Sequence, residues 1–285
     1  MELVPSVPAD LFASVFVYGT ALRRRVELAL TIKKRLLYAP MTMHWDFAVI
    51  LAFFGIAAPW LGYRRVRRLM QIPMTTSTER LALYGSTIAF QWLATAIILW
   101  RAMAHGVRPA QLGLAGGDLK LSVSIAVLLS LLLLVNQVVS IRRLAAKPAE
   151  IKGMIVELAL KIFPQNQVER LAFVALVSTV AVCEEVIYRG FVQGVFRGWM
   201  GDSITAGIVI SAIFFAVAHV YQGRRGLLST FVIGIMFAGV RAGTGSLIPS
   251  ICAHFATDLA AGLLAPVKLR PAIKARLQET GTEPL

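Results

Sequence analysis

Two adjacent carboxylates, Glu184 and Glu185, and one guanidinium, Arg189, fall within the stretch AVCEEVIYRG, directly after the almost purely apolar run 171–183. An ionisable side chain near a bilayer centre costs on the order of 2.5–3.5 kcal/mol on insertion scales, so three of them need compensation. On a helix, Glu185 and Arg189 stand at i and i+4, share a face and can pair. Glu184 points about 100° away from Glu185 by helix geometry, and Arg189 is less well placed to neutralise it. A purely structural reading is a buried ion pair plus one Glu facing a neighbouring helix.

Two further apolar runs repeat the device. FFAVAH places Phe215 and His219 at i and i+4, and HFATD places His254 and Asp258 at the same spacing. A lone intramembrane His or Asp is more often a helix-packing hydrogen bonder than a catalyst. Here, however, two of the chain's four histidines lie in these runs. The other two, His44 and His105, fall at span ends, where an interfacial position is expected. Glu184, Glu185, Arg189, His219, His254 and Asp258 on three neighbouring helices suffice to build a polar cavity. A buried Glu beside a His can act as general base on a water. A second His can donate a hydrogen bond to a developing oxyanion. Those are the parts of a hydrolase that attacks an amide inside the membrane. The same donors also suit a metal site, in which Glu184, His219 and His254 hold zinc with one position open. The sequence contains no H-E-x-x-H, no G-x-S-x-G, no phosphate loop and no dinucleotide fingerprint.

Such residues need membrane helices to carry them, and the composition supplies these. Of 285 residues, 57% are hydrophobic and 15% charged, against roughly 25% charged in soluble domains. The mean hydropathy is +0.71. The net charge of +14 sits in short basic clusters at the ends of apolar runs, as membrane-flanking Lys and Arg do. With no RNA-binding signature beside it, that charge points to the lipid bilayer as partner and not to nucleic acid. Cys183 and Cys252 have no zinc-type spacing and read as small buried hydrophobes. No cleavable signal peptide is expected, because the apolar run 11–22 precedes Arg23–Arg25.

A bilayer core needs roughly 20 mostly apolar residues per helix. Runs near 45–63, 81–100, 121–140, 170–194, 203–221, 226–243 and 247–267 qualify. The expected fold is therefore all-α, a polytopic transmembrane helical bundle of about six to eight spans. ALRRRVELALTIKKRLL (21–37) alternates apolar positions with basic clusters and predicts an amphipathic helix on anionic lipid. The chain divides into a basic N-terminal segment (1–43), N-terminal membrane helices with a cytoplasmic-type loop (44–164), a polar-cored membrane region (165–268) and a polar, frayed tail (269–285). The loop around 141–169 is basic, and EIKGMIVELALKIF within it predicts a second amphipathic helix. With seven spans, the 64–68 cluster, this loop, Arg224–Arg225 and the tail share one side, which the positive-inside rule makes cytoplasmic. The basic N-terminal arm then falls on the other side, a conflict that a re-entrant segment or an uncounted span would remove.

The order E-E-x-x-x-R, F-x-x-x-H, H-x-x-x-N/D resembles the CPBP family, the CAAX prenyl endopeptidases and bacteriocin-processing or self-immunity proteins also called the Abi family. EEVIYRGFVQG shares the family's usual look after the arginine. The resemblance covers about 165–268; the N-terminal half is similar only in being hydrophobic. It implies an intramembrane endopeptidase that hydrolyses a peptide bond of a membrane-associated protein or peptide precursor. It implies that Glu184 and His219 activate the water, that His254 and Asp258 stabilise the tetrahedral oxyanion, and that Glu185, Arg189 and Phe215 support them. The family is described both as metal-dependent and as glutamate-type, so zinc on Glu184, His219 and His254 stays open and no cofactor is assigned. At position 258 an Asn can donate to an oxyanion, whereas an ionised Asp cannot; an ionised Asp258 would orient His254 or join a metal site, and an Asp258 kept protonated by burial can still donate. Prenylated C-termini are the family's best-known substrates, but no residue pattern here encodes prenyl recognition. The basic-loop pattern suits a bacterial inner membrane and would also suit the endoplasmic reticulum. Two other readings remain: a transporter or proton relay, against which the lack of an inverted repeat counts, and a non-catalytic binding or immunity protein of the same fold.

Overall fold

The computed structural model describes residues 41–72, 75–115, 117–146, 158 and 161–280, with side chains up to 268. The expected basic helix at 21–37 and most of the segment 150–163 lie outside the described residues. Among those described there are helices and no strands. In lipid the backbone must satisfy its own hydrogen bonds, and an open sheet edge cannot do so.

Among the described residues, seven helices of 15 residues or more follow one another. They are α1 (Trp45–Gln71), α2 (Ser77–Ala104), α3 (Leu119–Ala145), α4 (Gln167–Trp199), α5 (Ile204–Ala218), α6 (Gly223–Thr244) and α7 (Ile248–Thr280). Six are long and apolar enough to cross a membrane, with the turn Val220–Gln222 counted into the span of α6. The fifth expected span is the exception. α5 has 15 residues, about 22 Å at a rise of 1.5 Å per residue, against a hydrocarbon core of about 30 Å. The expected tail also differs, because α7 runs on as helix to Thr280.

Side-chain caps start several of these helices. Thr76 Oγ1 accepts from the Glu79 amide, and Glu79 accepts from the Thr76 amide at 2.7 Å, a reciprocal box at the head of α2. Asp118, Asn166 and Ser203 cap α3, α4 and α5 in the same way.

α4 is the central element. Of its most apolar stretch 56% is buried, against 17% for α3. It packs on α2 and α7, and through its second half on α5 and α6. α3 lies along α7, its other faces open to lipid. α5 and α6 form a tight hairpin, and Gly234 lets the backbones approach: a Cβ there would stand 3.1 Å from Ala212 Cα.

Polar ties fix both ends. Arg80 of α2 and Glu169 of α4 form a buried two-pronged ion pair, at 2.9 and 3.1 Å. Nearby, Lys161 Nζ donates to the carbonyls of Leu69, Met70 and Ile72 at the end of α1. At the opposite end, Asp46 of α1 accepts from Arg101 Nε at 2.7 Å and stands 3.0 Å from His105 Nε2. His44 stacks on His105 at 3.7 Å. The two histidines expected at span ends are there, but they belong to this network. Exposed Trp45, Trp100 and Trp199 surround the same end, as aromatic side chains do at a membrane interface. Of the two cysteines expected to be buried, Cys183 is and Cys252 is exposed.

Candidate active site

The site begins where α4 changes pitch. Its regular turns end at Glu184, and Glu185–Val192 forms a π-helical stretch in which all eight residues are buried. π turns are rare and occur often at functional sites. The backbone groups displaced by the wider turn need other partners, and Ser211 of α5 donates its hydroxyl to the Tyr188 carbonyl at 2.8 Å.

The two carboxylates diverge, as their spacing predicts. Glu185 Oε1 accepts from Arg189 Nη1 at 2.7 Å, with both side chains wholly enclosed. The same oxygen accepts from His254 Nδ1 at 3.1 Å. Glu184 takes a different partner: Gln91 Nε2 of α2 donates to its Oε1 at 3.0 Å. Its second oxygen, Oε2, is buried with no hydrogen-bond partner among the described residues. It stands 4.0 Å from His254 Nε2, and Asp258 Oδ2 stands 3.5 Å from that nitrogen. Glu184, Glu185, Arg189, His254 and Asp258 therefore surround one point. Side-chain exposure rises from 0% at Glu185 through 13% at Glu184 to 38% at Asp258, so the cluster opens towards Asp258.

Phe215 belongs to this group. The Arg189 guanidinium lies over its ring at 3.9 Å and near Phe237 at 5.3 Å, a desolvated cation–π arrangement. His254 packs against both rings. The buried guanidinium is thus held by one carboxylate and an aromatic floor.

His219 is placed differently. It caps the C-terminus of α5 and is followed by a single tight turn, Val220–Gln222. Gly223 ends that turn at φ 75° and ψ −177°, a conformation only glycine adopts readily. His219 Nδ1 meets the Phe215 carbonyl at 2.8 Å. A carbonyl only accepts, so Nδ1 donates, and in the neutral ring Nε2 is left as acceptor. Its ring also stands near Phe215 and Tyr221. Among the described residues no ion pair joins His219 to a carboxylate.

This geometry does not fit the zinc expectation. Among the described residues no three His, Cys, Asp or Glu side chains come together as a metal site. His219 is held on its own helix, and both ring nitrogens of His254 face carboxylates. Glu184, His219 and His254 are not gathered as a donor set.

Sequence reasoning missed Gln91, Tyr188 and Phe237. Gln91 left a signal, an amide in the middle of an apolar span that needs a polar partner. Phe237 left none, since an aromatic in a membrane helix is ordinary.

The chain is thus a multi-pass helical membrane protein with Glu184, Glu185, Arg189 and His254 enclosed together and Asp258 at the exposed side of the cluster. Residues 166–260 match the family described as Rce1-like, type II CAAX prenyl endopeptidase Rce1-like. The match supports a CPBP family intramembrane protease and, in general terms, a CAAX-protease-like hydrolase. It spans about a third of the chain, from the N-cap of α4 into α7, and includes every motif residue; α1, α2 and α3 lie outside it. No curated protein and no solved structure matches the chain.

Proposed function

We propose that this protein is an endopeptidase that hydrolyses a peptide bond of a membrane-associated polypeptide, with Glu184 as general base and general acid. The observation that carries the proposal is the state of Glu184. One oxygen is held by Gln91, and the other is buried, unbonded among the described residues, and turned to His254. Glu185 Oε2 also lacks a partner among the described residues, but Glu185 is wholly enclosed and paired with Arg189, whereas Glu184 has no Arg or Lys bound to it among those residues and is the carboxylate nearer the exposed side of the cluster.

The chemistry follows in two steps. A water placed at Glu184 Oε2 gives that oxygen a proton, and its oxygen bonds to the peptide carbonyl carbon. His219, with Nδ1 held by the Phe215 carbonyl, offers Nε2 as acceptor for the water's second hydrogen. The carbonyl oxygen gains the electron pair, and His254 Nε2 is the donor that stabilises it. The C–N bond then breaks as Glu184 returns its proton to the leaving nitrogen, leaving a new carboxyl terminus and a new amine. Glu185 and Arg189 act through His254: the pair fixes Nδ1 and so aims Nε2. Asp258, at 3.5 Å from Nε2, orients the same ring.

The test compares membranes carrying the wild-type chain, Glu184→Gln and His219→Ala, with C-terminal peptides read by mass spectrometry. A small set of membrane-proximal cleavages is expected in the wild type and absent from both variants, with all three proteins inserted at equal levels. Identical profiles would overturn the assignment and favour binding or transport. The same peptides report whether the substrates end in prenylated sequences.

A further inference from the structure

We infer that Gln91 is a positioning residue for Glu184, holding one carboxylate oxygen so that the other faces the reacting bond. The inference rests on the protease reading for what that carboxylate does; the contact itself stands apart from it. Gln91 belongs to α2, outside the segment that matches the Rce1-like family. On this view the N-terminal half supplies part of the working site and is more than lipid-facing scaffold.

The placement is specific. Gln91 sits at the middle of the span Ser77–Ala104 and is buried, 9% exposed. An amide at that depth is costly unless it is bonded, and water is not at hand to bond it. Its Nε2 donates to Glu184 Oε1 at 3.0 Å. An ionised carboxylate only accepts, so the amide nitrogen is the atom that must face it. Two other contacts set the register of α2 on α4. Arg80 grips Glu169 nearer one end, and Trp92 Nε1 donates to Thr179 Oγ1 at 3.2 Å beside Gln91. The backbone therefore presents Gln91 to Glu184 independently of the bond between them. A glutamate has three side-chain torsions, and without a donor on Oε1 its carboxylate turns. With one, Oε2 has a fixed direction, towards His254 Nε2.

The experiment uses the full chain in proteoliposomes, with Gln91→Leu, Gln91→Glu and Glu184→Gln beside the wild type. Two readouts are taken. The first is hydrolysis of a farnesylated CAAX-type fluorogenic peptide. The second is labelling of Glu184 by dicyclohexylcarbodiimide, an apolar reagent for protonated carboxyls, located by peptide mass spectrometry. Loss of one hydrogen bond to a charged group is expected to lower kcat of Gln91→Leu about 10- to 100-fold, with KM within about twofold. Gln91→Glu keeps the shape but sets a like charge against Glu184, and is expected to lose more. Released from the amide, the Glu184 carboxylate turns freely and meets the reagent more often, so it is expected to label faster in Gln91→Leu. Wild-type kcat in Gln91→Leu, with Glu184→Gln inactive, overturns the positioning role and leaves the protease reading standing. If the wild type leaves the peptide intact, that substrate class fails. The labelling then decides: a faster rate in Gln91→Leu supports the inference, and an unchanged rate overturns it.

Discussion

At the scale of single residues, Asp258 is where this chain's chemistry is most its own. Its carboxylate stands 3.5 Å from His254 Nε2 and is the most exposed group of the cluster. An ionised Asp offers only acceptors, so in the proposed mechanism Asp258 orients His254 and does not donate to the oxyanion. Asn can accept the same bond through its carbonyl oxygen. Asp258→Asn is therefore expected to keep kcat within about tenfold, whereas Asp258→Ala loses about 10- to 100-fold. Cleavage rates of the two variants on one peptide check this. Wild-type activity in the alanine variant would remove Asp258 from the site, and an asparagine variant faster than wild type would make position 258 an oxyanion donor. The motif spacing brought most of this cluster into view beforehand. Glu185–Arg189 and His254–Asp258 are i, i+4 pairs, and both meet as helix geometry requires. The contact of Gln91 with Glu184 was not legible, because it joins residues 93 positions apart. For a similar reason the open zinc possibility finds no gathered donor set among the described residues: spacing along a chain does not say that His219 spends Nδ1 on its own helix.

At the scale of elements, α2 and α4 form the pair on which the site depends. Arg80 and Glu169 join them in a buried ion pair with 5% and 0% side-chain exposure. Glu169 also accepts from the Gln165 amide and from Asn166 Nδ2, both at 2.7 Å. Removing one partner leaves an uncompensated buried charge. Arg80→Met is thus expected to destabilise the protein by about 3–5 kcal/mol, while Arg80→Met combined with Glu169→Leu recovers most of that. Unfolding by SDS titration in mixed micelles measures both. If the single and double variants lose the same amount, the pair is not what joins the helices. Most helices were legible, since a long apolar run admits few other structures in lipid. The π stretch at Glu185–Val192 was not. It changes hydrogen-bond pitch without changing composition, and its support, the Ser211 hydroxyl on the Tyr188 carbonyl, comes from another helix. The shortness of α5 was hidden too, because FFAVAH stays apolar up to the residue where the helix stops.

At the scale of the whole molecule, the arrangement of charge on the described helices predicts an orientation, although the basic segment 21–37 precedes the start of α1 on the opposite face. α1, α2 and α3 alternate in direction, so the C-terminal ends of α1 and α3 share one face of the membrane. Arg64, Arg65, Arg67 and Arg68 lie at the first of these ends, and Arg142 and Arg143 at the second. The turn Val220–Gln222 packs against the end of α1, which brings Arg224 and Arg225 to the same face. The opposite face carries the tryptophan ring and the loop 105–118, with fewer basic residues, Arg101, Arg108, Lys120 and Arg197. Each Lys or Arg resists transfer across the bilayer, so the face with the arginines is expected to be cytoplasmic. Cysteine labelling tests this in a chain with Cys183→Ala and Cys252→Ala. Gln71→Cys and Arg108→Cys each place a single thiol at an exposed position on opposite faces. In intact cells a membrane-impermeant maleimide is expected to label Arg108→Cys at once and Gln71→Cys only after the membrane is opened. The reverse pattern would invert the protein. The mouth of the site at Asp258 would be unchanged in the fold but would then face the other compartment, and the substrates sought by peptide mass spectrometry would have to be looked for there.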